Sequence, residues 1–391
     1  MNILIIGGGM AGCSAAEMLS RVPGIKITIL EKSNFLGAGV RTFFYGGHPF
    51  TYGPRHFLTQ KKETYLYLKK FLNLKNCNHH QFKSYVEKDN QFYNYPINQT
   101  DIDKMPDSKK IRNEIKKQKN VHLSKNLEEF WIRSVGKTLF GKMINDYNKK
   151  MWLVEDCKKI DTFKWSPKGY TIKSGKQAAF DDWISCYPSH PDGYNKYFDG
   201  ILKNKKIKVL FNQNIKRIFL SKKTIYSNKS KHTYNILINT ISPDFLLNYK
   251  FGELKFIGRD LHKIVFPTEN VFPKDVFFLY YPNQEKFTRL VEYKKFTKHK
   301  SKTSLVGMEI PSLNGKHYPL PVSSEQRKAN KYFMEMPNGV YSIGRAGTYR
   351  YEVDMDDCIW QSIQIKNQIE KGTYNGPIIG EEYKYKDSIN I

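Results

Sequence analysis

The features that most constrain the fold are three glycines directly after an apolar run at the start of the chain. Ile3–Ile6 is continuously apolar, which is typical of a parallel strand buried on both faces. Gly7, Gly9 and Gly12 follow with the spacing Gly-x-Gly-x-x-Gly. Good helix formers come next, and an alternating apolar run then ends at Glu31. The pattern predicts one β-α-β unit and therefore an α/β fold.

This glycine spacing predicts a dinucleotide site. The first glycine permits a tight turn, the second lets backbone approach a pyrophosphate, and the third lets the helix pack on the strand. The helix N-terminus, which includes Met10 and Ala11, offers free N–H groups and a positive dipole to phosphates. Glu31 can accept hydrogen bonds from both ribose hydroxyls of an adenosine, which favours FAD or NAD over NADP.

The rest of the chain favours FAD over NAD. Regular β-α-β repeats do not continue after Glu31, because residues 33–60 hold glycines among aromatic residues instead. Gly344 and Arg345 stand near the C-terminus, just before a predicted helix at 355–371. This is the layout of FAD proteins in which the last strand and helix return to cover the flavin.

Composition limits the partners. Lys and Arg total 64 against 37 Asp and Glu, and the net charge of +27 would suit nucleic acid or an anionic membrane. The basic residues are spread without a nucleic-acid signature, so we expect no nucleic-acid partner. No apolar run approaches the ~18 residues of a membrane span, and the apolar start resembles a strand more than a signal peptide. The five scattered cysteines predict neither disulfides nor a metal site, which favours the cytoplasm.

Beyond the first unit, the pattern becomes helical and then strand-like. Asn126 and Glu129 predict a capping box at a helix start. One helical stripe with a period of four is predicted at Leu139, Met143, Tyr147 and Met151. Strands are predicted at 207–211, 215–219, 224–227, 234–240, 277–281, 288–293, 303–308 and 339–343.

These elements predict a Rossmann-like FAD-binding domain with an inserted helical domain and a mostly antiparallel β-sheet domain. We assign residues 1–75, 200–242 and 335–391 to the FAD-binding domain. The helical domain is predicted at 100–165, and the sheet domain, which would hold the substrate, at 76–99, 166–199 and 243–334.

Several separated segments together resemble the UDP-galactopyranose mutase family over nearly the whole chain. The segments are Ile5–Gly12, Tyr52–Phe57, Tyr93–Asn98, Asn126–Trp152, Lys250–Leu254, Phe287–Lys294 and Gly344–Met355. The last two are the most specific, because both residue order and spacing agree with the family.

The resemblance implies a flavin-dependent isomerase that interconverts the pyranose and furanose forms of a nucleotide-diphosphate sugar for polysaccharide or capsule biosynthesis. The substrate would be UDP-galactose or a related UDP- or GDP-sugar. Reduced FAD would be the active form, its N5 displacing the diphosphate to give a sugar adduct, and an external reductant such as NAD(P)H would supply electrons. Family members are often dimeric, which implies a homodimer. A flavin amine oxidase or desaturase and a non-catalytic nucleotide-sugar binding protein remain as alternatives.

The glycine motif and the resemblance imply the site residues. For FAD they are Gly7, Gly9, Met10, Ala11, Gly12, Glu31, Lys32, Gly39, Tyr52, Gly53, Arg345, Asp354 and Met355. For the substrate they are Asn94, Tyr147, Trp152, Lys176, Tyr187, Arg289, Tyr318 and Tyr349. No side chain is assigned a certain catalytic role, because flavin N5 would be the nucleophile, but Arg55 and His56 are candidates beside flavin and sugar.

Three positions depart from the family pattern. Arg55 replaces a histidine, with His56 one place later, Gly39 replaces an asparagine, and Lys250 replaces an arginine. We expect all three in or near the sugar and phosphate pocket, which implies the same chemistry on a different sugar or nucleotide. The loop expected to carry a second phosphate-binding arginine offers only Lys173 and Lys176, and lysine cannot form a bidentate fork. For Tyr147, core packing on the helical stripe remains an alternative.

Overall fold

The computed structural model describes residues 1–118, 120–162, 172–180 and 183–374. The strands in this part of the chain are β1 Asn2–Ile6, β2 Lys26–Leu30, β3 Phe43–Tyr45, β4 His48–Phe50, β5 Phe57–Thr59, β6 Leu74–Asn76, β7 Gln81–Val86, β8 Gln91–Tyr95, β9 Ile184–Pro188, β10 Ile207–Leu210, β11 Ile215–Phe219, β12 Thr224–Ser227, β13 Lys231–Thr233, β14 Ile236–Asn239, β15 Phe256–Phe266, β16 Val276–Tyr280, β17 Arg289–Glu292, β18 Ser304–Ser312, β19 Tyr318–Pro319 and β20 Val340–Ser342. The α-helices are α1 Met10–Leu19, α2 Lys62–Lys69, α3 Gln99–Ile102, α4 Ser108–Lys116, α5 Leu127–Val135, α6 Lys137–Leu139, α7 Asn145–Trp152, α8 Asn195–Lys203, α9 Pro243–Leu246, α10 Tyr293–Thr297, α11 Ser323–Met334, α12 Gly344–Gly347 and α13 Met355–Glu370.

A five-stranded parallel sheet is built around the N-terminal β-α-β unit, in the order β10-β2-β1-β14-β20. The predicted unit is confirmed, with α1 between β1 and β2. Helices α1 and α13 pack together, and the Ser14 and Ser362 hydroxyls lie 2.7 Å apart between them. The closing helix therefore lies against the helix that follows the glycine turn, as an FAD-type fold requires.

A second, seven-stranded sheet has the order β19-β15-β18-β17-β16-β7-β8. Its pairs are antiparallel except β16 with β7, so the predicted mostly antiparallel sheet is confirmed. β15 is eleven residues long and pairs with β18 from Gly258 to Phe266. This pairing places Arg259 two residues along the ladder from the pair Arg289 and Glu309.

The helices between residues 99 and 160 surround a separate apolar cluster that includes Trp131, Val135 and Leu139. Asn126 caps α5, because its side chain accepts a hydrogen bond from Glu129 N at 3.0 Å. The reciprocal bond of the predicted capping box differs, because the Glu129 carboxylate accepts from Lys125 N instead of Asn126 N. The predicted helical stripe is confirmed as one face, because Leu139, Met143, Tyr147 and Met151 all pack in this cluster. A π-helical turn at Phe140–Ile144 separates α6 from α7 within it.

Three smaller sheets complete the architecture: β11-β12-β13, β3-β4 and β5-β9-β6. The fold is thus the α/β class predicted from the sequence, with mixed sheets and an inserted helical region. The domain boundaries stay a prediction, and residues 119, 163–171, 181–182 and 375–391 of those ranges lie outside the described residues. Among the described helices, none is both long and apolar enough to span a lipid bilayer.

Candidate active site

The glycine turn lies at the carboxyl end of β1 and opens α1. Gly7 has φ +98°, in the left-handed region that favours glycine. A Cβ atom at Gly12 would lie 2.0 Å from Gly7 O, so helix and strand can pack this closely only through glycine. A Cβ atom at Gly9 would meet only Ala38 Cβ, at 3.6 Å. The space beside Gly9 is thus open at the helix N-terminus, where the glycine spacing predicts the pyrophosphate.

Glu31 lies at the end of β2, beside this turn. Its Oε2 accepts a hydrogen bond from Gly8 N at 2.6 Å, and its Oε1 accepts from Ser33 N at 2.7 Å. A carboxylate can accept further bonds, so ribose hydroxyls can still be bound. The loop that contains Gly39 is tied to the same turn, because Gly37 N donates to Gly8 O at 2.8 Å. Lys32 next to Glu31 is exposed.

The C-terminal segment brings Arg345 and the start of α13 toward the same region. Arg345 Nε donates to Val353 O at 2.9 Å, and its Nη2 lies 3.7 Å from Asp354 Oδ1. Asp354 is the N-cap of α13 and accepts a hydrogen bond from Met355 N at 3.0 Å. These bonds fix Arg345, Asp354 and Met355 as one unit at a helix N-terminus.

One cleft, which is partly open to solvent, brings together nine of the predicted site residues. Its lining includes Arg55, His56, Tyr147, Trp152, Arg289, Tyr318, Arg345, Asp354 and Met355. Residues assigned to the flavin and to the substrate from distant parts of the sequence thus share one cavity.

Arg289 lies on β17 with its guanidinium in this cleft and paired to a carboxylate. Its Nη2 is 2.7 Å from Oε2 of Glu309, which is opposite on β18. Glu309 is buried, and its Oε1 has no hydrogen-bond partner. That oxygen is directed toward Gly53, where a Cβ atom would lie 3.4 Å from it. The pair therefore holds Arg289 in place and leaves one acceptor available to a ligand.

Two further arginines approach the same point without a carboxylate. In the part of the chain that the structure describes, neither Arg55 nor Arg259 forms an ion pair, and Arg55 Nε is buried without a hydrogen-bond partner. Arg259 Nη2 donates to Met151 O at 3.1 Å, and its guanidinium carbon lies 4.7 Å from the ring centre of Tyr318. Buried cations are stable only when an anion or hydrogen bonds compensate them. Arg259 is compensated by its bonds to Met151 O and Gly258 O, so Arg55 is the arginine that points to an anionic ligand.

Aromatic rings form the walls of the cleft. The ring centres of Tyr147 and Tyr280 are 5.5 Å apart, and those of Trp152 and Tyr351 are 4.8 Å apart. Tyr147 is only partly buried, which leaves surface for a ligand, although it also packs on the core.

Cations surround Tyr318. The carbon at the centre of the Arg345 guanidinium lies 5.2 Å from the ring of Tyr318. Burial alone would raise the pKa of Tyr318, but the nearby Arg55, Arg289 and Arg259 lower it to about 8.

Four predicted substrate residues lie outside the cleft lining. Asn94 Oδ1 accepts from Lys83 Nζ at 2.7 Å, and Tyr95, next to it on the strand, lines the cleft in its place. Tyr187 is buried with its ring 5.7 Å from Phe296, and Lys176 is exposed. The hydroxyl of buried Tyr349 donates to Lys255 O. Their roles as ligands stay predictions that this geometry does not favour.

Two expectations about the pocket need revision. Lys250 does not lie in or near it, since its Nζ is 2.6 Å from a Glu335 carboxylate at the surface. Tyr351 lines the cleft where Tyr349 was expected, and the Tyr349 hydroxyl donates to Lys255 O instead. Arg259 and Glu309 were not predicted at all. Arg259 follows a segment, Lys250–Leu254, that the resemblance identifies, but nothing local marks its contact with Tyr318.

The fold and the cleft define a flavin-type dinucleotide-binding protein with arginines placed for an anionic substrate. A family model of UDP-galactopyranose mutase matches residues 142–351, and a model of NAD(P)-binding Rossmann-like domains matches residues 5–73. A probable UDP-galactopyranose mutase from Klebsiella pneumoniae is 22% identical over 409 aligned residues, which cover 96% of this chain and 99% of that protein.

Structural similarity agrees with this match. A crystal structure of reduced UDP-galactopyranose mutase has a TM-score of 0.78 at 18% identity, covering 97% of this chain and 99% of that chain. A putative protoporphyrinogen oxidase from Exiguobacterium sp. 255-15 has a TM-score of 0.70 at 13% identity, covering 95% and 99%. The family model matches residues 142–351, which are more than half of this chain. The chain therefore belongs to the UDP-galactopyranose mutase family. Membership implies an FAD-binding enzyme of the mutase type that acts on a nucleotide sugar.

Proposed function

We propose that the protein interconverts the pyranose and furanose forms of a nucleotide-diphosphate sugar, UDP-galactose or a related UDP- or GDP-sugar. The observation that carries this proposal is the shared cleft, in which Arg289 and the Arg345–Met355 segment lie together. A substrate diphosphate bound there would be close to the flavin. The alternative oxidases share this fold, so the proposal depends on the family and on the cleft and not on the fold alone.

The residues present fit FAD. The open space at Gly9, the free N–H groups of α1 and the Glu31 carboxylate would hold its pyrophosphate and ribose. Arg345 and the start of α13 would lie along the isoalloxazine end. When bound and reduced, the flavin supplies a nucleophilic N5 for the anomeric carbon of the sugar.

The protein's own contribution is binding and orientation. Arg55, Arg259 and Arg289 would hold the diphosphate, so that it stays close after the anomeric bond breaks and can return to the isomerised sugar. Two of these arginines lack carboxylates among the described residues, and a diphosphate carries one negative charge on each phosphate. The charges of these two arginines therefore match the two negative charges of the diphosphate. Tyr147 and Trp152 would contact the base or the sugar, and Glu309 Oε1 would accept a hydrogen bond from a sugar hydroxyl.

The redox state of the flavin provides the direct test. We expect the purified holoprotein to convert UDP-galactose to its furanose form after dithionite reduction, with no net redox product. The oxidised protein should show no conversion, because an oxidised flavin has no nucleophilic N5. Chromatography of the nucleotide sugars under both conditions measures this. Turnover with the flavin held oxidised would contradict the mechanism, and a net oxidised product would favour the oxidase alternative.

The pH dependence of UDP binding should follow the ionisation of the Tyr318 hydroxyl. Its pKa of about 8 is below the usual value of 10, so the ring ionises within an accessible range. Below pH 8 the neutral phenol leaves the arginine charges available, and above it the phenolate repels a diphosphate. We expect UDP affinity to fall roughly tenfold from pH 7 to pH 9, measured by calorimetry. In Tyr318→Phe the profile should be flat, and an unchanged profile in this variant would show that another group titrates.

A further inference from the structure

The small sheet β11-β12-β13 carries a surface that the proposed activity does not use. Its inner side includes Ile218 and Ile225, which are buried in the core beneath it. On the opposite side, the strand register aligns Arg217, Tyr226 and Lys231. Phe219 is two residues after Arg217 and therefore shares this side. All four side chains are exposed, and we refer to them as the outer face.

The outer face lies in a segment without negative charge. Between Asp199 and Asp244 the chain has no acidic residue. It has ten basic residues there: Lys203, Lys205, Lys206, Lys208, Lys216, Arg217, Lys222, Lys223, Lys229 and Lys231. All ten are exposed, and none forms an ion pair within the described parts of the chain. Exposed lysines elsewhere do pair with acids, for example Lys250 with Glu335. The positive potential of this segment is therefore uncompensated.

We propose that the outer face binds the surface of an anionic lipid bilayer. Lysine and arginine near such a surface each strengthen binding by about fivefold, and aromatic rings settle at the level of the lipid headgroups. The outer face combines both residue types on one short sheet. Phe219 and Tyr226, with exposed fractions of 41% and 37%, would enter the headgroup layer beside Arg217 and Lys231.

A single-stranded nucleic acid would also be attracted by the charge, but the rings are poorly placed for it. Base stacking needs a free ring face. The Phe219 and Tyr226 rings meet edge to face at 6.0 Å, with an interplanar angle of 86°. Lys222 Nζ lies over the Phe219 ring at 5.9 Å from its centre. The arrangement therefore favours a headgroup layer over stacked bases.

Vesicle sedimentation of the full-length holoprotein tests the proposal. We expect binding to vesicles of equal parts phosphatidylcholine and phosphatidylglycerol, and none to phosphatidylcholine alone. The double variant Arg217→Glu/Lys231→Glu replaces two attractions with two repulsions, which should weaken binding on the order of several hundredfold. Phe219→Ser/Tyr226→Ser keeps the charge and should also weaken binding, because the aromatic anchors are lost. Flavin absorbance and melting temperature should match the wild type in both variants.

The matched control is Lys109→Glu/Lys110→Glu, which changes the net charge by the same amount. These lysines are exposed in the first turn of α4, where glutamate suits the helix dipole. We expect the affinity of this variant for the mixed vesicles to fall by less than about fivefold. Equal losses in both charge variants would overturn the proposal, because net charge alone would then explain binding. Absence of vesicle binding would overturn it too, as would binding to a single-stranded RNA oligonucleotide but not to vesicles.

Discussion

Replacing Gly9 by valine is expected to give a folded but colourless protein. The Gly9 backbone is extended, with φ −76° and ψ −170°, a conformation that valine adopts readily. A Cβ atom there meets only Ala38 at an ordinary contact distance, so the fold can accept the side chain. The branched side chain would instead fill the space assigned to the FAD pyrophosphate. Each charge-assisted hydrogen bond lost from a phosphate costs about 1.5–3 kcal/mol, so FAD should not survive purification.

Gly12→Ala serves as the contrasting variant. Its Cβ atom would lie 2.0 Å from Gly7 O, so α1 must shift away from the strand. Overpacking of this kind costs about 1–3 kcal/mol of folding stability. We therefore expect a lower melting temperature for Gly12→Ala than for wild-type protein stripped of FAD. Gly9→Val should melt within about 4 °C of the stripped wild type.

Absorbance spectra and thermal melting together distinguish the two effects. Gly9→Val protein that retains stoichiometric FAD would show that the pyrophosphate does not pass this glycine. If Gly9→Val protein loses FAD and also melts at a much lower temperature, the substitution has damaged the fold. The placement of the pyrophosphate beside Gly9 would then have no support.

The parts of the fold that were predictable from sequence depend on local chemistry. Gly7, Gly9 and Gly12 specify a turn through conformational freedom and close packing, which are properties of a short segment. Asn126 likewise marks a helix start through its own hydrogen bond. The π-helical turn at Phe140–Ile144 was not predictable, because the residue spacing alone fits a regular helix. Two residues of this turn, Met143 and Ile144, line the cleft.

The surroundings of the cleft were less predictable, because strand pairing brings Arg259, which lies beside the lining residue Tyr318, near Arg289. Arg259 belongs to a long strand in which cationic and apolar residues do not alternate regularly, so no sequence period marked it. Its position near Arg289 results from β15 and β17 both pairing with β18. The same cross-strand contact gives Arg289 its carboxylate partner, Glu309. Glu292 is nearer to Arg289 in the sequence, but its carboxylate accepts bonds from Val271 N and Phe272 N instead.

The pairing of Arg289 with Glu309 makes Arg289→Ala a test with two expected effects. Removing one partner of a buried ion pair leaves the other charge uncompensated, which costs about 3–5 kcal/mol of stability. If Arg289 also binds the diphosphate, UDP affinity should fall by on the order of 2–5 kcal/mol. Arg289→Lys should recover only part of this affinity, because one ammonium cannot form two parallel hydrogen bonds. FAD content should stay normal in both variants, since Arg289 is assigned to the substrate.

The double variant Arg289→Ala/Glu309→Gln separates binding from folding. Neutral glutamine leaves no buried charge, so most of the lost stability should return, as thermal melting would show. UDP affinity should stay low, because the cation that contacts the diphosphate is still absent. Glu309→Gln alone should keep UDP affinity near that of the wild type, since Arg289 remains. If affinity returns with stability in the double variant, Arg289 acts only as the structural partner of Glu309. The diphosphate would then be held by Arg55 and Arg259, which have no carboxylate partner among the described residues.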